Sequence, residues 1–336
     1  MSATIGTPGL GINPGHGFVK IVVLADGYAR QIIVIPSIVA PADKQLVGAL
    51  RKIEAVDVAG GSWWVGEDAM LSNHVRTVLK QDRMFDSSFI PALVKGALSR
   101  VQGNGIPAEE LIASAKVVTG LPATWSTDSE LCRALIQRLK TAAGNLNLRA
   151  RVIAEPLAIV YAKLLDDAGE VVGDPVLQGG KVAVIDLGHH TVDVGVIDAM
   201  RPQPQTLATF QLGTAKPLAA IKQRLAARFE IDFPLHAVDL AVRTGTIKVA
   251  GKTTNLLEGW DQPLRENGAT IAVQLGELWG NGAQFDAILI GGGGSAVPAI
   301  TSAILNQFAQ AEIVPEGQIT VALGYARLAR RFGRKL

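Results

Sequence analysis

The chain has 336 residues, enough for about two domains. Hydrophobic residues make up 48%, which excludes a disordered chain and supplies full-sized cores. Its 32 basic and 30 acidic residues leave a formal net charge of +2, too small a bias for a dedicated nucleic-acid binder, and its one cysteine, Cys132, excludes an internal disulfide or a Cys-rich metal site. The lone cysteine suits a reducing cytoplasm. Residues 1–6 lack a basic segment leading into an apolar core, so no signal peptide is expected. No run of ~18 uncharged apolar residues is present, so no membrane span is expected.

Taken in chain order, residues 11–24 read as a glycine-rich polar turn feeding a β-branched strand. Another strand follows at 31–37, then a small insertion at about 37–70 that ends in Trp63-Trp64-Val65-Gly66-Glu67. Helices are expected at about 88–101 and 127–144, with a buried strand at 115–122 between them. A strand at 150–154 leads through Glu155-Pro156 into a helix at 157–166, proline being favourable in the first helical turn. Residues 182–197 repeat the design of 11–24, an apolar strand before the turn and another after it. The two segments lie half a chain apart, which suggests two related domains. Residues 214–275 read as mostly helical, 287–290 as a strand entering the four-glycine run 291–294, 297–309 as a helix and 318–332 as the last helix. Strands alternating with helices imply α/β layers.

Three turns carry chemistry. Gly15 and Gly17 let backbone N–H groups face an anion, and Lys20 can bring a cation to the same oxygens; an ordinary hairpin reads the same way. In the segment 186–193, Asp186 ends a strand and can hold Mg²⁺ through water, while Thr191 can donate a hydroxyl to phosphate. An aspartate that merely caps the turn is the plainer alternative. Glycines 291–294 let the backbone lie against a ligand such as a nucleoside, or simply turn the chain into a helix. Neither the P-loop pattern nor the dinucleotide fingerprint is met. His16 and the pair His189-His190 would add positive charge to these turns if protonated; solvent-facing turn residues are the plainer alternative, preferred for His189, and no third ligand is spaced for zinc. Trp63 and Trp64 read as packing of the insertion, and Arg327, Arg330, Arg331, Arg334 and Lys335 as a solvated basic helix end.

With Glu155-Pro156 between the first two turns, the order resembles that of the actin-like ATPases, most of all the plasmid-segregation actins of the ParM/StbA type and their archaeal relatives. The first phosphate motif of that family lies on residues 13–20, the second on Asp186, Leu187 and Gly188 with Thr191 and Asp193, the adenosine motif on residues 290–295 and the first interdomain connection on 154–158. Residues 118–122 and 64–67 also look like segments of the plasmid-segregation branch. The resemblance implies an α/β actin/Hsp70-type two-lobed fold of duplicated ribonuclease H-like domains with small subdomain insertions. Its first lobe would be 1–160 and its second 161–317, the insertions falling at about 37–70 and 214–275, and a C-terminal helix, 318–336, would pack back on the first lobe.

It further implies ATP or ADP with Mg²⁺ in the cleft between lobes. Gly15, His16, Gly17 and Lys20 would hold the β- and γ-phosphates. Gly188, His189, His190 and Thr191 would close on the γ-phosphate, and Gly292, Gly293, Gly294 and Ser295 would face the nucleoside. Asp186, and Asn13 where the family usually has Asp, would hold the metal through water. Glu155 would polarise the attacking water, although a carboxylate at a helix start is also favoured by the dipole alone. The implied function is an ATP-dependent filament, a homopolymer in the cytoplasm that segregates plasmid or other DNA through a DNA-binding adaptor, with no direct nucleic-acid or membrane contact. Two alternatives remain open: a small-molecule kinase of the same superfamily, and a nucleotide-binding scaffold with weak hydrolysis, to which Asn13 points. A chaperone of this superfamily is excluded by length, since nothing is left over for a peptide-binding domain.

Overall fold

Runs of Val, Ile and Leu form the strands of two main sheets, because branched side chains pack well on a pleated, buried surface. The computed structural model describes residues 7–42, 54–78, 80–102, 107–144, 149–256 and 258–333. Two units are formed, Met1–Gly173 with Val321–Leu336, and Asp174–Thr320. The sequence-based division at 160/161 falls inside a helix, and the boundary in the structure lies beyond it.

In the first unit, β1 (Gly9–Pro14), β2 (Phe18–Leu24) and β3 (Gln31–Pro36) form an antiparallel meander. Strands β4 (Val39–Pro41), β5 (Val56–Val58) and β6 (Gly61–Val65) make a separate small sheet in the order β4-β6-β5. Trp64 is buried there beside Ala40 and Ala69. Of the insertion expected at 37–70, residues 43–53 lie outside the described residues, as do residues 1–6, Arg334 and Lys335.

The chain continues through a 3-10 turn at Gln81–Met84 into α1 (Phe89–Leu98), α2 (Ala108–Ser114), β7 (Lys116–Leu121), α3 (Ser129–Ala143), β8 (Ala150–Ala154) and α4 (Glu155–Leu164). The carboxylate of Asp128 caps α3 by accepting from the N–H groups of Glu130 and Leu131, and Leu131, Leu135 and Leu139 recur every fourth residue on its buried face. Strands β7 and β8 join parallel to β1, giving the order β3-β2-β1-β7-β8.

The second unit holds α5 (Pro175–Gly179), β9 (Lys181–Leu187), β10 (Val192–Asp198), β11 (Arg201–Pro202), β12 (Ala208–Phe210), α6 (Ala215–Phe229), α7 (Leu235–Thr244), β13 (Thr246–Val249), β14 (Lys252–Asn255), α8 (Gln262–Trp279), β15 (Ala287–Gly291), α9 (Pro298–Gln307) and β16 (Ala311–Ile313). Its sheet order is β11-β10-β9-β15-β16, with β12 also on β10. The plan of the first sheet thus recurs: an antiparallel hairpin whose first strand takes a parallel neighbour, β7 beside β1 and β15 beside β9. The segment 214–275 is not wholly helical, because β13 and β14 pair as a hairpin around Ala250-Gly251, both at positive φ.

The final helix, α10 (Thr320–Gly333), is stitched to the first unit by the arginines read as a solvated face. Arg330 is 4% exposed, pairs with Asp26 and donates to the Thr7 carbonyl. Arg327 donates to Asp167, which Arg30 also engages. Long side chains cover apolar surface with their stems while their heads find oxygens, and residue type alone does not reveal which oxygens.

Candidate functional site

In the first unit, the turn between β1 and β2 is held by its carbonyls. The Pro14 carbonyl accepts from Arg83 Nη2 at 2.8 Å, and the Gly15 carbonyl accepts from the same nitrogen at 3.3 Å and from Ser37 Oγ at 2.7 Å. The Gly17 carbonyl accepts from the Ser37 N–H at 2.9 Å. Every described peptide bond is trans, so each carbonyl directed inward sends the next residue's N–H the opposite way. Asn13 and Lys20 face each other across the hairpin. A Cβ placed on Gly15 would lie 3.0 Å from Asn13 Oδ1 and 3.1 Å from Lys20 Nζ, so both side chains close on this glycine. Asn13 is 3% exposed, and its Oδ1 accepts no hydrogen bond from a described residue. The His16 ring is half-buried and meets Trp125 edge-on, centroids 5.8 Å apart.

Arg83 is the side chain that sequence reasoning missed here. It is 1% exposed, lies against the Phe89 ring and has no direct carboxylate partner among the described residues. Burial lowers its guanidinium to about 10, still charged at neutral pH, while the negative field of Glu155 pulls the other way. Glu155 itself opens α4, where the preceding strand β8 ends without an intervening loop.

In the second unit, the turn between β9 and β10 is built on the same principle with other donors. The carbonyls of Gly188, His189 and His190 accept from the N–H groups of Thr214 (3.1 Å), Ala215 (2.7 Å) and Gly213 (3.2 Å), the residues leading into α6. A Cβ on Gly213 would sit 2.3 Å from the His190 carbonyl carbon, so only glycine permits this approach. His189 and His190 are half-buried rather than solvent-facing. Asp186 and Asp193 face each other across the hairpin, 5% and 1% exposed. Thr191 Oγ1 donates to Asp193 Oδ2 at 2.6 Å and Thr209 Oγ1 to Oδ1 at 2.5 Å. The Thr191 proton is therefore used within the turn, and the hydroxyl oxygen and backbone N–H are what it retains for a ligand.

Next to this turn, in the same unit, Gly292 has φ 82°, and a Cβ there would fall 2.0 Å from Asp186 Oδ1. The glycine turn thus packs directly on the aspartate. The Gly293 carbonyl accepts from Arg243 Nη1 at 3.0 Å, and Arg243 is held bidentate by Asp239. Ser295 is 2% exposed with its Oγ on the Gly292 carbonyl, so its hydroxyl shapes the turn. Asp186, Gly188, His189, His190, Thr191 and 292–295 are thus gathered within the second unit, and Asn13, Gly15, His16, Gly17, Lys20 and Glu155 belong to the first. Ser37, Arg83, Thr209, Gly213, Asp239 and Arg243 are the supports that sequence reasoning left out. Among the described residues, no three His, Cys, Asp or Glu side chains are grouped to hold a metal directly. Taken each within its own unit, the buried Asn13 Oδ1, which accepts no hydrogen bond from a described residue, and the buried Asp186 carboxylate are oxygen acceptors of the kind to which metal-bound water donates, since magnesium takes oxygen ligands and keeps several waters. No helix among the described residues is long and apolar enough to cross a membrane.

A family model for the N-terminal domain of actin-like proteins matches residues 11–155, and one for the C-terminal domain of the MreB-like archaeal actin homologue matches residues 184–300. The structure is similar to that of the archaeal actin homologue Ta0583 in complex with ADP, with 20% identity, a TM-score of 0.69 and 97% of this chain covering 99% of that one. It is also similar to the subunit of a 15-stranded ParM filament from Clostridium botulinum (18% identity, TM-score 0.68, 97% and 100% covered). A third likeness is to Bacillus thuringiensis ParM with ATP (16% identity, TM-score 0.62, 96% and 97% covered). No curated protein sequence matches. The recurring sheet plan and these likenesses define the class as the actin-like two-domain α/β fold. Because its two halves match actin-like domain models in that order, the chain belongs to the actin-like proteins.

Proposed function

We propose that this protein is an ATP-dependent, filament-forming actin-like ATPase. The carrying observation is that each unit has a hairpin turn whose carbonyls are tied back by protein donors, an arrangement that turns successive N–H groups outward as an anion cradle does. The phosphates of ATP are bound by Gly15, His16, Gly17 and Lys20 of the first unit and by 188–191 of the second, and the glycine turn 292–294 takes the nucleoside. Asp186 and Asn13 hold Mg²⁺ through water, and when bound the ion neutralises phosphate charge. Glu155 orients the attacking water. The relatives with ADP, with ATP and in a filament support this reading. The biological role is segregation of plasmid or other DNA in the cytoplasm through a DNA-binding adaptor, which suits a net charge of only +2.

Sedimentation and phosphate release with ATP, ADP and no nucleotide test the proposal. Nucleotide-dependent pelleting with phosphate release is the expected result; a chain that stays monomeric in every condition overturns it. Asn13 supports one variant of this reading, a filament with slow turnover, because an amide brings no negative charge to the metal's water shell. Replacing it by the usual acid, Asn13→Asp, then accelerates phosphate release; an unchanged rate removes that variant.

A further inference from the structure

Among the described residues the largest fully buried side chain is a cation, Arg83, and burying a charge without a direct counter-ion is costly unless it is fully hydrogen-bonded. Its described hydrogen bonds go to two backbone carbonyls, Pro14 and Gly15, and its Nε finds no partner among the described residues. A guanidinium spent on carbonyls, without a direct carboxylate, is a poor device for stability alone. What it does control is the direction of two successive peptide planes in the turn that carries Gly15, His16 and Gly17.

The second unit shows what such control is for. There, three successive carbonyls, 188 to 190, are held by the N–H groups that lead into α6. Among the described residues of the first unit, the donors to the carbonyls of Pro14, Gly15 and Gly17 outside the turn come not from a helix start but from Ser37 and Arg83. We infer that Arg83 is a positioning residue for phosphate binding: it stands in for a helix N-terminus, holding the 14–17 turn with its N–H groups outward and adding positive potential behind them. This rests on the nucleotide-binding reading given above. Arg83 touches no phosphate in this scheme, and it acts through the peptide planes of Pro14 and Gly15.

The test is titration of the full chain with ATP and ADP, alongside its unliganded melting temperature, for the natural protein, Arg83→Lys, Arg83→Met and Ser37→Ala. Arg83→Met weakens both nucleotides at least tenfold at temperatures where it remains folded. Arg83→Lys keeps the charge but not the planar fork, and recovers only part of that loss. Ser37→Ala, which removes the other donor to the Gly15 carbonyl, weakens binding several-fold. A purely structural role lowers the melting temperature and leaves both affinities unchanged in the folded protein; that result for either arginine variant overturns the inference. Should neither arginine variant fold, Ser37→Ala decides, and natural affinity in it overturns the inference. A natural protein that binds neither nucleotide instead sinks the underlying reading, and this inference with it.

Discussion

The turn after β1 and the turn after β9 both have their carbonyls held by protein donors, but by unlike means. The second is closed by neighbours in sequence: Gly213, Thr214 and Ala215 lie about 25 residues beyond the carbonyls they hold, and their N–H groups need a partner in any case at the start of α6. The first borrows a charged side chain from 68 residues away. A helix start is a rigid donor array of fixed geometry, whereas an arginine can be removed by one substitution. The comparison therefore teaches where each half is vulnerable, the second at backbone packing and the first at one guanidinium.

The largest expected effect comes from the packing side. Gly213→Val drives a branched side chain into the His190 backbone and costs about 3 kcal/mol in urea unfolding, with loss of nucleotide binding. A variant of natural stability would show that the 188–190 carbonyls are not held as described.

Next is Glu155→Gln, which keeps the shape but removes the carboxylate. Phosphate release slows by about 100-fold or more while ATP affinity is retained. Unchanged turnover would reduce Glu155 to a helix-start residue whose field merely eases the burial of Arg83.

A smaller effect is expected at Thr209→Val. Asp193 loses a hydroxyl donor inside a buried site, a loss of about 1–2 kcal/mol read by thermal unfolding. No change in stability would mean that the Thr191–Asp193–Thr209 chain does not hold the second turn.

The smallest is an acid effect confined to the first unit. Burial pushes the Asp167 carboxyl up, but Arg327 and Arg30 pull harder and leave it below the usual carboxylate value. Asp86 behaves likewise, its burial outweighed by the N–H groups of Phe89 and Ser88, the Ser88 hydroxyl and Arg76. Both folded values are depressed. Their contribution is thus complete above about pH 4, the unfolded carboxylate value, and is lost as pH falls through the lower folded values. Asp167→Asn flattens this acid limb of a stability–pH curve, and an unaltered limb counts against the assignment.

How far the fold could be read from the residues follows from the range of the forces involved. The strands at 11–24 and 182–197 and the helix at 127–144 announce themselves through local pattern, a β-branched run or leucines every fourth residue. The β13–β14 hairpin escaped because its strands, Thr-Ile-Lys-Val and Lys-Thr-Thr-Asn, are short and polar inside a helical stretch. Glycines and acids of the candidate site were visible because their types suit phosphate and metal. Arg83 was not, since an arginine between Asp82 and Met84 looks like any surface cation until the chain folds it under the Pro14 carbonyl. The basic residues of α10 misled for the same reason, their partners Asp26 and Asp167 lying far away in sequence.

The most direct test of the central claim is an amide NMR titration of the full chain with ATP. The account predicts that the N–H resonances of Gly15, His16, His189, His190 and Thr191 shift together as the nucleotide saturates. Saturable ATP binding that leaves those five amides unperturbed would contradict it.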